Sequence, residues 1–270
     1  MNELTSEEIS LIINIALASR KIKKLTVKHK ELRPNIHLIL FGRIGSTKSS
    51  ILYDVSKKIN TPVVTGLTTA NLYGILDKEG ELIPPTIWEC KENFLMIDEY
   101  HLDTHNGKQR DLLNSLLSVM ENPEYTKKVS YRARPFKQKS NNLFCKIEKG
   151  RLMVKTRFSL FLNTMMPITT SSTVELQALC SRCLCVPIYP DEKVMKEIAR
   201  GKHLYLFEDL QVQKEKVEIS KEEYDAILSF VERDTINLQG YLRKIGDLCR
   251  AYAVIGKLDE NVFNTILKLP

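Results

Sequence analysis

Eight consecutive residues, Gly42-Arg43-Ile44-Gly45-Ser46-Thr47-Lys48-Ser49, have the composition of a loop that cradles phosphate. They follow an apolar run, Ile36 to Phe41, and open a helix-like segment from Ser49 to Ile59. In that setting backbone N–H groups and the start of the helix would surround the β- and γ-phosphates of a nucleotide. Lys48 would neutralise them, and the Ser49 hydroxyl would ligate Mg²⁺. The expected nucleotide-binding set therefore runs from Gly42 through Ser50. Thr47 replaces the second glycine of the usual G-x-x-x-x-G-K-[ST] pattern, and a chance glycine-rich turn is the competing reading. A second motif weighs against chance. Phe94-Leu95-Met96-Ile97 reads as a buried strand ending in Asp98-Glu99, at the end where an open α/β sheet binds ligands. Asp98 can hold Mg²⁺ through water, and Glu99 can orient and polarise an attacking water. Paired carboxylates are ordinary on a surface. After four apolar residues, and downstream of a phosphate loop, they point to ATP or GTP.

These groups need a sheet and its helices to hold them. The chain opens with an amphipathic helix pattern: Thr5 and Glu8 form a capping box, and Ile9, Ile12, Ile13 and Leu17 recur at helical spacing up to the basic stretch from Arg20 to Lys24. Pro34 breaks the pattern before the first strand. After the phosphate loop come a short strand at Pro62 to Thr65, a helical stretch at Thr68 to Leu76, and a loop or hairpin at Asp77 to Pro85. The leucines between Lys108 and Met120 mark a packed helix, and Phe158 to Leu162 a further strand ending in Asn163-Thr164. From Asp191 the pattern is mainly helical, with Lys202 to Ile219 readable either as a loop or as a small hairpin.

Between Lys127 and Arg157 the chain is strongly basic, with Glu148 the single acid. Tyr131, Phe136 and Phe144 interleave with the lysines and arginines, and Ser140-Asn141-Asn142 and Lys149-Gly150 are turn candidates, which suggests one or two β-hairpins. A run of one sign repels itself and is offset by a polyanion, so Arg132, Arg134, Lys137, Lys139, Lys146 and Lys149 are the candidate nucleic-acid contacts. A solvated lysine-rich hairpin is the bland alternative. The net charge of +7 suits the same partner but decides little alone. The length fits one large domain or a core with a smaller appendage. Six cysteines are too few for a secreted scaffold, and no apolar run reaches membrane-spanning length. Glu3, Glu7 and Glu8 stand where a signal peptide would be basic, so an intracellular, cytoplasmic protein without a membrane partner is expected. Cys180-x-x-Cys183 lacks a second cysteine pair at ligand spacing, which favours buried thiols over zinc. His101 and His105, beside Asp98, Glu99 and Asp103, read as solvated loop residues rather than a transition-metal cluster.

Laid in order, these pieces resemble the AAA+ ATPases, and among them the ATPase core of the minichromosome-maintenance replicative helicases. The phosphate loop is similar to that family's G-x-P-G-x-A-K-S, with Arg43-Ile44 in place of x-Pro. Gly66-Leu67-Thr68-Thr69-Ala70 is similar to its G-L-T-A element, after which the family inserts a hairpin. Ile97-Asp98-Glu99 matches its I-D-E, and Met120-Glu121-Asn122 falls where it has M-E-Q before a basic pre-sensor hairpin. The resemblance implies that Asn163 is the sensor-1 asparagine holding the lytic water or γ-phosphate. Leu179 to Cys183 resembles L-L-S-R-F, which makes Arg182 a finger reaching the neighbouring subunit's nucleotide. Ala251-Tyr252-Ala253 resembles the closing A-x-A of the lid helix. Two features depart from the family. Its amino-terminal DNA-encircling domain is reduced to one helix, and its sensor-2 arginine falls near Asn237 or Gly240, with Arg243 one turn away as the substitute.

What the resemblance implies is an α/β P-loop core at 34–190 with parallel sheet, flanking helices and inserted hairpins at about 127–157. A helix and basic linker at 1–33 precede it, and a helical lid at 191–270 follows. The expected catalytic set is Lys48, Glu99, Asn163 and Arg182, acting on ATP and Mg²⁺. An arginine supplied in trans implies a ring or open-ring homo-oligomer, hexameric by analogy. Three functions compete: a DNA-dependent helicase or translocase, an ATP-controlled replication initiator or loader, and a non-hydrolysing DNA-binding scaffold on a decayed fold.

Overall fold

The computed structural model describes residues 4–90, 93–100, 107–122, 124–130, 133–140, 143–165, 174–202, 205–208, 210–233 and 238–270. Helix α1 (Ser6–Ser19) starts at the expected capping box: Thr5 Oγ1 accepts from the Glu8 N–H at 3.1 Å, and Glu8 Oε2 accepts from the Thr5 N–H at 2.9 Å. Two strands follow, β1 (Lys24–Val27) and β2 (Lys30–Leu32), joined through Lys28 and His29 at φ 46° and 64°. Paired positive φ values are what a tight two-residue hairpin demands. Next come β3 (His37–Phe41), α2 (Lys48–Ile59), β4 (Val63–Val64), α3 (Thr69–Tyr73), β5 (Ile75–Leu76), β6 (Leu82–Ile83), α4 (Thr86–Glu89) and β7 (Phe94–Ile97). The chain continues through α5 (Gly107–Glu121), β8 (Glu124–Lys128), β9 (Phe136–Ser140), β10 (Leu143–Glu148), β11 (Arg151–Lys155), β12 (Ser159–Thr164), α6 (Val174–Cys180) and β13 (Cys183–Pro187). It closes with α7 (Glu192–Ala199), β14 (Lys216–Ile219), α8 (Lys221–Glu232), α9 (Leu238–Ile255) and α10 (Glu260–Leu267).

The central sheet has five strands, all parallel, in the order β13-β3-β12-β7-β4. Helices cover both faces, which explains why these strands are almost wholly apolar. The strand period of two sorts their residues between two cores. Leu38, Leu40, Phe94, Met96, Phe161, Leu184 and Val186 pack with α1, α2 and the C-terminal helices. Ile39, Phe41, Leu95, Ile97, Leu160 and Leu162 pack with α3, α4, α5 and α6.

Residues 1–33 were expected to be a helix and a linker, yet from Lys24 they are neither. Strand β1 pairs in parallel with β14 and antiparallel with β2, and α1 shares one continuous core with α8, α9 and α10. The divisions expected at 33 and 190 therefore do not divide the core. The stretch 202–219, left open between loop and hairpin, supplies the distant partner strand β14. The segment at 77–85 supplies the turn (77–81) and the second strand of an antiparallel β5–β6 hairpin, inserted between α3 and α4. The basic insert holds the two expected hairpins, β9–β10 and β10–β11, and adds β8 alongside β11, which makes a four-stranded antiparallel sheet in the order β8-β11-β10-β9. Among the described residues, no helix is long and apolar enough to cross a membrane.

Candidate phosphate site

The phosphate loop leaves the carboxyl end of β3, between neighbours β12 and β13 that are reached at different points of the chain. Such a reversal of strand order opens a crevice beyond the strand ends. Gly42 cannot be replaced here without distortion, because an added Cβ would lie 2.3 Å from the Ile188 carbonyl oxygen. Gly45 has φ 77° and Thr47 φ 70°, so the loop turns twice through the left-handed region before α2 starts. That conformation is why the general pattern has glycine where this chain has Thr47. A β-branched residue there costs roughly 1–2 kcal/mol, with Tyr205 the neighbour of its hydroxyl at 3.5 Å.

Lys48 is buried, and its Nζ donates to the carbonyls of Gly42 at 2.9 Å and Arg43 at 2.7 Å and to Ser46 Oγ at 3.0 Å. Burial lowers its pKa, while the Asp98 charge opposes that shift. The ammonium is thus held inside the loop's own concavity, beside the place where a phosphate would offer oxygens in place of those carbonyls. Arg43, Ile44 and Gly45 are exposed around it, and Ser50 lies exposed on the first turn of α2.

Strand β12 stands between β3 and β7, so the residue at its end can touch both the loop helix and the acids. Asn163 does this. Its Nδ2 donates to Asp98 Oδ1 at 2.6 Å, and its Oδ1 accepts from the Glu99 N–H at 3.0 Å. Ser49 Oγ donates to the same Asp98 oxygen at 3.0 Å and lies 3.4 Å from Asn163 Nδ2. Asn163 is 1% exposed, so its amide is committed to this network and fixes where the two acids begin. Glu99 has φ 54°, a strained backbone that turns the chain at the strand tip, and it is exposed toward solvent. A hydroxyl and a carboxylate at this separation are hard oxygen donors that fit Mg²⁺.

A cleft of about 680 Å³ extends from loop residues 42–46 to Met165, Tyr189, Pro190, Asp191 and Met195. Of the residues beyond the loop, the sequence marks Asp191 only as the start of the helical stretch. Nothing in the local pattern says that the segment after β13 folds back across the loop; the parallel pairing of β13 with β3 does that.

Two of the expected residues are elsewhere. Arg182 precedes β13, whose first residue pairs with His37 at the start of β3, so roughly 20 Å of strand separates it from the loop of its own chain. Arg182 donates to the Ala178 carbonyl at 2.6 Å and pairs with Glu121. Arg243 is likewise not brought to the crevice. Its Nη2 donates to the Cys183 carbonyl at 3.1 Å and its Nε lies 3.6 Å from Asp247 Oδ2. With Arg33 and Arg250, whose Nε donates to the Arg33 carbonyl at 2.9 Å, these residues make an arginine-rich end of the molecule opposite the phosphate loop. Cys183 and Cys185 are buried in β13, and burial holds the Cys183 thiol well above its ordinary pKa. His101, Asp103, His105 and Asn237 lie outside the described residues.

Of the basic candidates, Lys137, Lys139 and Lys146 share the solvent side of the four-stranded sheet, and Lys149 sits at the tight β10–β11 turn with φ 50°. Arg134 is turned away: it pairs with Glu81 of the β5–β6 hairpin at 2.5 Å. Arg132 lies outside the described residues. A comparison with protein-family models finds no match, and a comparison with curated proteins finds no significant relative.

Proposed function

We propose that the chain is a DNA-dependent ATPase of the AAA+ class, resembling the minichromosome-maintenance core, that couples ATP hydrolysis to unwinding or translocation of DNA. The observation that carries this reading is the convergence of Lys48, Ser49, Asp98 and Asn163 at the carboxyl ends of β3, β12 and β7. The inserted β5–β6 hairpin between α3 and α4, and the basic sheet between α5 and β12, lie where the resemblance expects insertions.

Bound Mg²⁺ would supply charge neutralisation across the β- and γ-phosphates. The protein's share is positioning and electrostatics. Lys48 would exchange loop carbonyls for phosphate oxygens, and Ser49 and Asp98 would hold the cation. Asn163 fixes the backbone of Glu99, so that the Glu99 carboxylate, free to face solvent, can align a water and take its proton. Arg182, at the far end of the sheet, can meet only the site of another copy. Repeated head-to-tail, that contact generates a ring or a helical filament.

The test is ATP turnover with and without DNA. Lys48→Ala and Glu99→Gln should each reduce DNA-stimulated hydrolysis by at least 100-fold, and Glu99→Gln should still bind ATP. Absence of ATP binding by the unaltered protein would sink the reading. A second reading, an ATP-controlled initiator or loader, is favoured by one observation: Arg243 is engaged at the opposite end of the molecule and does not approach the crevice of its own chain. DNA-stimulated turnover without strand displacement would select it.

A further inference from the structure

We infer that the solvent face of the four-stranded sheet is a platform for single-stranded nucleic acid, with Phe144 as the position on which a base stacks. This rests on the reading of the basic insert as a nucleic-acid contact, and goes further by naming the strand state and the contact. Directly paired residues in a sheet share a face, so the register assigns every side chain. Leu143, Cys145, Ile147, Leu152 and Val154 point inward onto Trp88 of α4. Phe136 and Tyr125 join them, and Trp88 Nε1 donates to Gln138 Oε1 of β9 at 3.0 Å. Phe144 has the opposite parity. Its row across the sheet reads Glu124, Lys155, Phe144, Lys139, and the next row reads Thr126, Met153, Lys146, Lys137.

Phe144 is thus a partly exposed ring flanked by Lys155 and Lys139, with Lys146 Nζ 5.8 Å from its centroid. Lys128 and Arg151 pair on the same side one row further along. Glu124 and Glu148 bind Lys155 and Lys146 at 3.3 Å and 3.0 Å, leaving the face cationic. Neighbouring strands stand about 4.8 Å apart, which places these cations within reach of the phosphates flanking a base laid on the ring. A flat aromatic amid lysines binds unpaired bases through their π-faces, whereas the bases of a duplex are already stacked on one another. A purely electrostatic face would need no aromatic at that point.

Binding should be measured for an oligothymidylate, an abasic oligomer of the same length and a duplex. Phe144→Ala and Phe144→Leu should each weaken oligothymidylate binding about tenfold or more, leave the abasic oligomer unaffected, and be rescued by Phe144→Trp. The leucine variant keeps apolar volume at this position, and emission from Trp88 beneath the sheet reports, in both the alanine and the leucine variant, that the sheet remains folded. Lys137→Ala with Lys139→Ala should weaken all three ligands and lower the salt slope. Equal losses on oligothymidylate and abasic oligomer, or a preference for duplex, would overturn the stacking platform and leave the nucleic-acid reading standing. Failure of the unaltered protein to bind any of the three would overturn both.

Discussion

His37 shows how one half-buried side chain ties the sheet to pH. Its Nδ1 accepts the Leu160 N–H at 2.8 Å. Burial, reinforced by the charges of Arg250, Arg33 and Arg182, pushes its pKa down from 6.5 to about 3. The unfolded chain therefore binds a proton below pH 6.5 that the folded chain refuses until about pH 3. Stability from this group is complete above pH 6.5 and is lost as pH falls toward 3, at about 1.4 kcal/mol per pH unit. In urea unfolding at pH 7.5 and at pH 5.5, His37→Asn should remove that part of the dependence, because Oδ1 can replace Nδ1 as acceptor without titrating. An unaltered pH slope in the variant would show that His37 is not the group responsible. Asn163 makes the complementary point in the candidate phosphate site. A neutral amide both donates and accepts, so one residue can hold Asp98 and Glu99 at once.

At the scale of elements, β1 changes the meaning of the segment before residue 34. Leu25 is completely buried between β14 and the helices of the main core. Leu25→Ala should cost about 2–5 kcal/mol, the price of a core cavity, measured as a fall in chemical unfolding free energy. Were this segment a solvated linker, the change would be near zero. The same reasoning applies to the basic insert, where sequence shows a run of lysines and pairing decides which of them act together. Lys127 donates to the Gly74 carbonyl at 3.2 Å on the inner side, while its neighbour Lys128 faces outward beside Arg151. A slip of one residue would exchange the two sets.

For the molecule as a whole, the phosphate loop and the arginine-rich end with Arg182 lie at opposite ends of the same parallel strands. A site needing both a phosphate loop and Arg182 would be built from two copies. Lys48→Ala and Arg182→Ala should then each abolish turnover alone, whereas mixing the two variants should restore a fraction, since some junctions pair an intact loop with an intact arginine. The measurement is ATPase rate against mixing ratio. A flat line at zero, with co-assembly verified by molar mass, would place Arg182 outside the reaction. His37, Arg33 and Arg250 stand at that same end, so assembly at this face would cover a cationic surface whose charges add to the burial that keeps His37 neutral.

The phosphate loop, the acidic strand, the apolar runs of the central sheet and most helices are legible in the residues alone, because each rests on contacts between near neighbours: a capping box at three residues, a strand period of two, a loop opening a helix. The pairing of β1 with β14, the addition of β8 to the edge of the basic insert and the placement of Arg243 beside Cys183 are not legible. Those depend on partners far apart in the chain, and short polar strands such as Lys24–Val27 and Lys216–Ile219 carry no local signal of which edge they will complete. Residue types and their spacing mark which groups are candidates for handling phosphate. The contacts that put Asn163 between the loop and the acids, and the distance that puts Arg182 at the other end, come from strand order and register, which are settled only when the whole sheet packs.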